Sequence, residues 1–293
     1  MICNECPRRC NKPRTETKGE GFCQVGTLPI IARAALHFHE EPCISGTRGS
    51  GAIFFSGCTL RCGYCQNKEI SYFGKGTQVS VKHLAEIMKR LEGEGAHNIN
   101  FVTGTHFVLA ILEALSYYRP KIPLLWNTSG YESLETLQKL NGIIDVYLPD
   151  IKHVSPRLSA LCAKATNYFE YASVAVQTMC AQTGTPQYDA EGIVQKGTLV
   201  RHLILPSCTG DSLKVLNFIK DGLPLGTPLS LMHQYTPHPT CDIKGLDRRI
   251  TQKEYERVAD HMQMLDLPGY TQMAQSATFA YTPQFDGVTG VTI

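Results

Sequence analysis

From residue 52 onward short apolar runs alternate with amphipathic helical patterns, and this alternation constrains the fold more than any other feature of the chain. Residues 52–56 read as a strand bounded by Gly51 and Gly57. Residues 81–91 read as a helix: Leu84, Ile87, Met88 and Leu91 share a face, Ser80 can cap its start, and Gly93 and Gly95 end it. Strands are expected over 98–102, 123–126 and 145–148, separated by helices over 107–118 and 131–140. The second half keeps the rhythm, with helices over 167–181, 211–221 and 251–265 and strands over 199–205 and 228–232. Six strands in this alternation predict an α/β fold with a right-handed parallel succession. In such folds the groups of a site gather in loops at the carboxyl ends of the strands.

The polar motifs fall at those ends. Cys58-Thr59-Leu60-Arg61-Cys62-Gly63-Tyr64-Cys65 follows the first strand and Thr103-Gly104-Thr105-His106 the second. Asn127-Thr128-Ser129-Gly130 follows the third and Asp150-Ile151-Lys152 the fourth. Pro206-Ser207 and His233-Gln234-Tyr235 follow the last two. Three thiols at the spacing of Cys58, Cys62 and Cys65 can hold three irons of a cubane [4Fe–4S] cluster. A fully protein-ligated cubane takes four cysteines, so one iron is left open to a ligand, as one position is in a catalytic zinc site. A zinc knuckle, or three unrelated core cysteines, is the competing reading.

At 293 residues the chain can form one large α/β domain, with or without a small appendage. A net charge of +2 gives no argument for nucleic acid or an anionic membrane. No stretch resembles a signal peptide and no apolar run is long enough to span a bilayer, so a cytoplasmic protein is expected. In reducing cytosol twelve cysteines are better explained by metal or cluster ligation than by disulfides. Seven stand in close sets, and the scattered Cys43, Cys162, Cys180, Cys208 and Cys241 are expected to pack as small buried hydrophobes. The first set, Cys3, Cys6, Cys10 and Cys23, lies among turn residues with little apolar material around it. Four thiolates suit tetrahedral zinc or a second iron–sulfur cluster, and reduced, unliganded thiols are the plain alternative. Residues 1–45 are therefore expected to form a cysteine-rich segment and residues 46–293 the core domain.

With Cys58-x3-Cys62-x-Tyr64-Cys65 in place, the chain resembles the radical S-adenosylmethionine (SAM) enzymes related to pyruvate formate-lyase activating enzyme. The similarity is strongest to a branch with an extra cysteine-rich N-terminus. It extends through Cys6-Pro7-Arg8-Arg9-Cys10, Asn127-Thr128-Ser129-Gly130-Tyr131, residues 145–152, Arg201-His202-Leu203 and residues 231–237. The resemblance implies a partial (β/α)6 TIM-like barrel and cluster ligation by Cys58, Cys62 and Cys65. Tyr64 would pack near cluster and adenine. Thr103, Gly104 and Thr105 stand where the family usually has a Gly-Gly-Glu stretch for the SAM amino group, here without the Glu. Asn127 and Ser129 would face ribose and methionine, and Lys152 of the Asp150–Lys152 pair and Arg201 would approach the SAM carboxylate. Read from the residues alone, Asp150 and Lys152 form a plain ion pair, and His106 and His202 are packed in the wall.

The implied activity is reductive cleavage of SAM to methionine and a 5′-deoxyadenosyl radical, which abstracts hydrogen from an unknown substrate. In activating enzymes that substrate is a glycine of a partner protein; a small molecule, a peptide or an RNA base is the alternative, with no basic, aromatic groove to favour RNA. No catalytic residue beyond the cluster is assigned, and the implied electron donor is a flavodoxin or ferredoxin. From a different class comes an iron–sulfur electron-transfer or sensor protein that never turns SAM over. A fourth cysteine such as Cys43, Cys208 or Cys241 folded onto the open iron would favour that class.

Overall fold

The computed structural model describes residues 1–272 and 283–292. All six expected strands form, in chain order and parallel: β2 (Ser50–Phe55), β3 (Ile99–Val102), β4 (Leu124–Thr128) and β5 (Val146–Pro149) in the central sheet, and β6 (Val200–Leu203) and β7 (Leu229–Met232) in a second, smaller sheet. Val194–Thr198 pairs with the start of β5, and a parallel bridge from Asp150 to Arg201 carries the sheet on to β6. Five strands beyond expectation join these sheets, among them Val194–Thr198 and the two-residue pieces Thr77–Gln78 and Gln187–Tyr188 at the edges. β1 (Ile30–His37) runs antiparallel beside β2, and β8 (Gly269–Thr271) lies parallel beside β7. Residues 30–37 pair with β2, and the division expected at 45/46 falls in the connection between these two paired strands.

Alternation along each strand separates two environments. Phe101, Trp126 and Tyr147 point outward into a core shared with Leu84, Ile87 and Leu91 of α1 (Val81–Gly93). That helix is the one the period predicts, and the Ser80 hydroxyl accepts from the His83 N–H at its start. α2 (Val108–Tyr117) and α3 (Leu134–Leu140) cover the same side. Fully burying one such Leu, Ile or Phe contributes about 1.5–3 kcal/mol, so this layer is what holds the sheet against its helices. α3 starts later than expected because Ser133, not a residue before Tyr131, is its cap. α4 (Pro156–Ala163), α5 (Tyr168–Thr183), α6 (Thr209–Gly222) and α7 (Gln252–Met264) follow; of these only α4 has no counterpart in the sequence pattern.

The inward side is layered. At the bottom, Leu125, Val146, Leu148, Val194 and Leu199 close around Cys43 and Ile44 of the turn Pro42–Ser45. Above that apolar floor lie Glu40, Asn100, Asn127 and Arg201, and above them the loops at the strand ends. No helix among the described residues is long and apolar enough to cross a membrane.

Candidate functional site

β2 delivers its chain to the cysteine loop through Gly57, which has φ +87°. A Cβ there would stand 2.7 Å from Val25 and 3.2 Å from the Cys23 carbonyl oxygen, so only glycine lets the N-terminal segment approach so closely. Arg61 takes a left-handed conformation with φ +52°, which curls the loop so that two N–H groups reach one sulfur. The Leu60 and Arg61 amides donate to Cys58 Sγ at 3.3 and 3.4 Å, and the Ser71 hydroxyl donates to Cys65 Sγ at 3.5 Å. Hydrogen bonds to ligand sulfurs set a cluster's potential. Burial pushes the Cys62 and Cys65 thiols up, so it is metal ligation that would hold them as thiolates.

Cys58, Cys62 and Cys65 line one cavity of about 250 Å³. Thr103, Asn127, Ser129, Asp150, Lys152 and Arg201, from four other strand ends, line the same cavity. Tyr64, Gly104 and Thr105 do not. The Tyr64 ring is buried between His153 and Tyr235. Gly104 lies against Ile111 and Trp126, and the Thr105 hydroxyl donates to Glu132 at 2.6 Å.

Thr103 carries φ +60°, an outlier for a β-branched residue whose strain costs on the order of 1–3 kcal/mol. It is held there by its N–H bond to the Asn127 carbonyl, 2.8 Å. A buried carboxylate lies behind this loop, supplied by the next βα connection and outside the cavity that the cysteines line. Glu132, 1% exposed, takes hydrogen bonds on one oxygen from Thr105 Oγ1 (2.6 Å), Thr128 Oγ1 (2.6 Å) and Trp126 Nε1 (3.0 Å). Burial raises its carboxyl above the ordinary range, against those three donors. An acidic residue at a helix start reads as a surface group, so the sequence carries no signal for this role.

Both expected cations are already engaged. Lys152 Nζ meets Asp150 at 2.5 Å; burial is the largest influence and works against its charge, and Asp150, Tyr64, Cys62 and Tyr168 together hold the ammonium protonated. Arg201 meets Glu40 at 2.7 Å and Glu41 at 3.2 Å. Glu40 also accepts from Asn127 Nδ2 (3.2 Å) and Asn100 Nδ2 (3.4 Å), and burial pushes its carboxyl up while Arg201 pulls it down. The cavity wall therefore holds both signs of charge, and Glu40 is the member that sequence reasoning missed. The only hint of it is an acidic pair directly after an apolar run. His202 is packed as the plain reading has it, with its ring nitrogens bonded to the Ile151 carbonyl and the Ser212 hydroxyl.

The first cysteine set also converges. Cys3, Cys6, Cys10 and Cys23 line a cavity of about 10 Å³ that reaches Thr59 and His106. The buried Arg14 donates to Cys3 Sγ (3.5 Å) and to the His106 carbonyl (2.8 Å), and the Phe22 amide donates to Cys10 Sγ (3.4 Å). Burial pushes the Cys6 thiol up to about 12, and Cys23, Cys10 and Cys3 push the same way. Among the described residues no three His, Cys, Asp or Glu side chains stand close enough together to hold a metal ion as they are.

Of the scattered cysteines, Cys43 lies in the barrel floor. Cys162, Cys208 and Cys241 pack in the apolar cluster behind the cysteine loop. None of the four lines the large cavity.

Comparison with known proteins bears on family and fold. The description of the Radical SAM superfamily matches residues 52–179. An uncharacterised protein of Methanocaldococcus jannaschii is 30% identical over 279 residues, covering 90% of this chain and 75% of that one. The fold is similar to that of Streptococcus suis SuiB, solved with S-adenosylmethionine bound, at TM-score 0.50 and 12% identity over 77% of this chain; the chain spans 50% of SuiB's length. It is also similar to a radical SAM methyltransferase from Sphaerobacter thermophilus, at TM-score 0.55 and 11% identity, over 76% of this chain and 66% of that one. At such identities the likeness to solved structures is one of fold.

Proposed function

The chain belongs to the radical SAM superfamily, and from that premise we propose that it is an enzyme whose Cys58, Cys62 and Cys65 hold the [4Fe–4S] cluster at which SAM is cleaved. Cluster and SAM are the family's cofactors, and when bound they supply reductive cleavage to methionine and a 5′-deoxyadenosyl radical for hydrogen abstraction. The observation that carries the reading is the donor set. The large cavity presents three thiols and no fourth, which leaves an iron for a ligand; a fully protein-ligated carrier would need the fourth.

The chain's own residues bind and orient. SAM is a zwitterion with an added sulfonium charge, and the wall offers it both signs. Arg201 and Lys152 are the groups for its carboxylate, each held in place by Glu40 or Asp150. Thr103, Asn127 and Ser129 are the neutral polar groups of the same wall, and the Thr103 main chain is fixed in a strained turn there. The apolar floor excludes water from below. The likeness to activating enzymes suggests a glycine of a partner protein as the hydrogen donor.

For Cys3, Cys6, Cys10 and Cys23 we propose a structural zinc. Four thiolates on a small turn-rich segment suit a closed tetrahedral site, and all four line one cavity. The unit that carries this site ends before β1, near residue 29.

The test is anaerobic reconstitution, followed by assay of 5′-deoxyadenosine with dithionite and SAM. Wild-type protein is expected to release it and Cys62→Ala to release none. A reconstituted, cluster-bearing wild type that binds no SAM would refute the reading in favour of a carrier.

A further inference from the structure

We propose that Arg14 is the buried counter-ion of the N-terminal metal centre and the positioning residue that couples this centre to the cysteine loop, an inference that rests on zinc at Cys3, Cys6, Cys10 and Cys23 and a cluster at Cys58, Cys62 and Cys65. Arg14 is only 4% exposed, and all three nitrogens of its guanidinium are bonded inside the fold. Nε donates to the Val25 carbonyl (3.1 Å), Nη1 to Cys3 Sγ (3.5 Å) and the His106 carbonyl (2.8 Å), and Nη2 to the Gly26 carbonyl. Among the described residues no carboxylate pairs with it. Glu5, which lines the same small cavity, is taken by Lys139 at 2.5 Å. Arg201, by contrast, has both Glu40 and Glu41. An arginine keeps its charge wherever it lies, and a charge buried without an opposite one is costly, so an anion belongs beside Arg14. The four cysteines supply it. Four thiolates around one divalent ion leave a net negative charge, and metal binding is what fixes thiols as thiolates.

The same guanidinium reaches the cysteine loop by two short routes. His106, whose carbonyl it holds, donates from Nε2 to the Ser56 carbonyl at 2.8 Å. Val25, whose carbonyl it also holds, is the residue against which Gly57 packs: a Cβ on Gly57 would stand 2.7 Å from it. Ser56 and Gly57 are the two residues that deliver β2 to Cys58. When the metal leaves, the guanidinium loses its anion and is better solvated in water than in the interior. Its bonds to Val25 and His106 then break, and the strand end that carries Cys58 loses support on both routes. Occupancy of the N-terminal set thereby governs how firmly the loop holds iron. By reciprocity a seated cluster tightens the hold on zinc. Arg14 touches neither cluster nor SAM in this scheme and does not line the large cavity; it acts through His106 and Val25.

The test uses the full chain, reconstituted anaerobically with iron and sulfide and then saturated with zinc or left without it. Release of cluster iron to a chromogenic chelator is timed, and zinc affinity is measured by chelator competition. Zinc-free wild type is expected to release iron about tenfold faster than the zinc-loaded form. Arg14→Met is expected to bind zinc about 10–100-fold more weakly, as loss of a partner just outside the ligand shell does. At saturating zinc its iron release should be as fast as without zinc, a loss of coupling that mere destabilisation does not produce. Equal iron release from the two forms of wild type overturns the proposal without recourse to any variant, and leaves the zinc reading standing. An Arg14→Met chain that keeps the zinc affinity of wild type, or its dependence of iron release on zinc, overturns it as well. If wild type binds no more zinc than Cys6→Ala, the zinc reading itself fails and the coupling falls with it.

Discussion

Removing Glu40 tests whether the buried charges beneath the cavity are one unit. Its side chain is 7% exposed and that of Arg201 12%, at 2.7 Å, so water screens the pair little. Breaking a buried pair by deleting one partner costs roughly 3–5 kcal/mol, chiefly because the surviving charge is stranded. Glu41 stays 3.2 Å from Arg201 and limits the loss, while the Asn100 and Asn127 amides each lose an acceptor worth about 1 kcal/mol. Glu40→Ala should therefore cost about 3–4 kcal/mol. At roughly 2 °C per kcal/mol for a chain of this size, that is a fall of about 6–8 °C in Tm. Arg201→Ala should cost a similar amount, and the double variant much less than the sum, with a coupling of about 1–3 kcal/mol. Urea unfolding of the four proteins under anaerobic conditions measures each corner, and SAM titration of the reconstituted proteins should show weaker binding in both single variants. Additive losses within about 0.5 kcal/mol would refute the argument, because two groups that share no energy cannot be positioning each other.

Two buried histidines act on the pH dependence of stability with a definite sign, opposite to that of the raised Glu40 and Glu132 carboxyls. Burial, against a carbonyl partner, lowers both His106 and His202 to about 4, so they stay neutral in the folded chain while their unfolded forms protonate near 6.5. The unfolded state then binds more protons between those values. Stability should fall as pH drops from about 6.5 to about 4, by up to about 1.4 kcal/mol per pH unit for each histidine. Urea midpoints across that range should fall more steeply in wild type than in His202→Gln, and equal slopes would contradict it. At Glu132, Leu leaves the Thr105, Thr128 and Trp126 donors without their acceptor and should destabilise by about 1–3 kcal/mol; Gln keeps an acceptor oxygen and should cost less. Equal losses for the two variants, by thermal unfolding, would remove the hydrogen bonds from the explanation.

The parallel strands were legible because each is a buried apolar run between turn residues, and the ligand loop because its spacing is local. β1 was not, because Arg33 interrupts its apolar run and its place depends on pairing with β2. Glu40 and Glu132 were opaque for a related reason. Each looks like a solvated acid in sequence, and only tertiary register turns one toward Arg201 and the other behind Thr105. The Asp150–Lys152 ion pair and the cavity wall proved to be one place, which separation in sequence alone could not decide.

Among the described residues, the plug formed by Cys43 and Ile44 closes the floor of the chamber. What enters past the strand ends does not leave through that floor. A bulky guest seated over the strand ends would hold spent cofactor fragments inside until it departs, so the sequence of departures, rather than any moving part, would pace a round of catalysis.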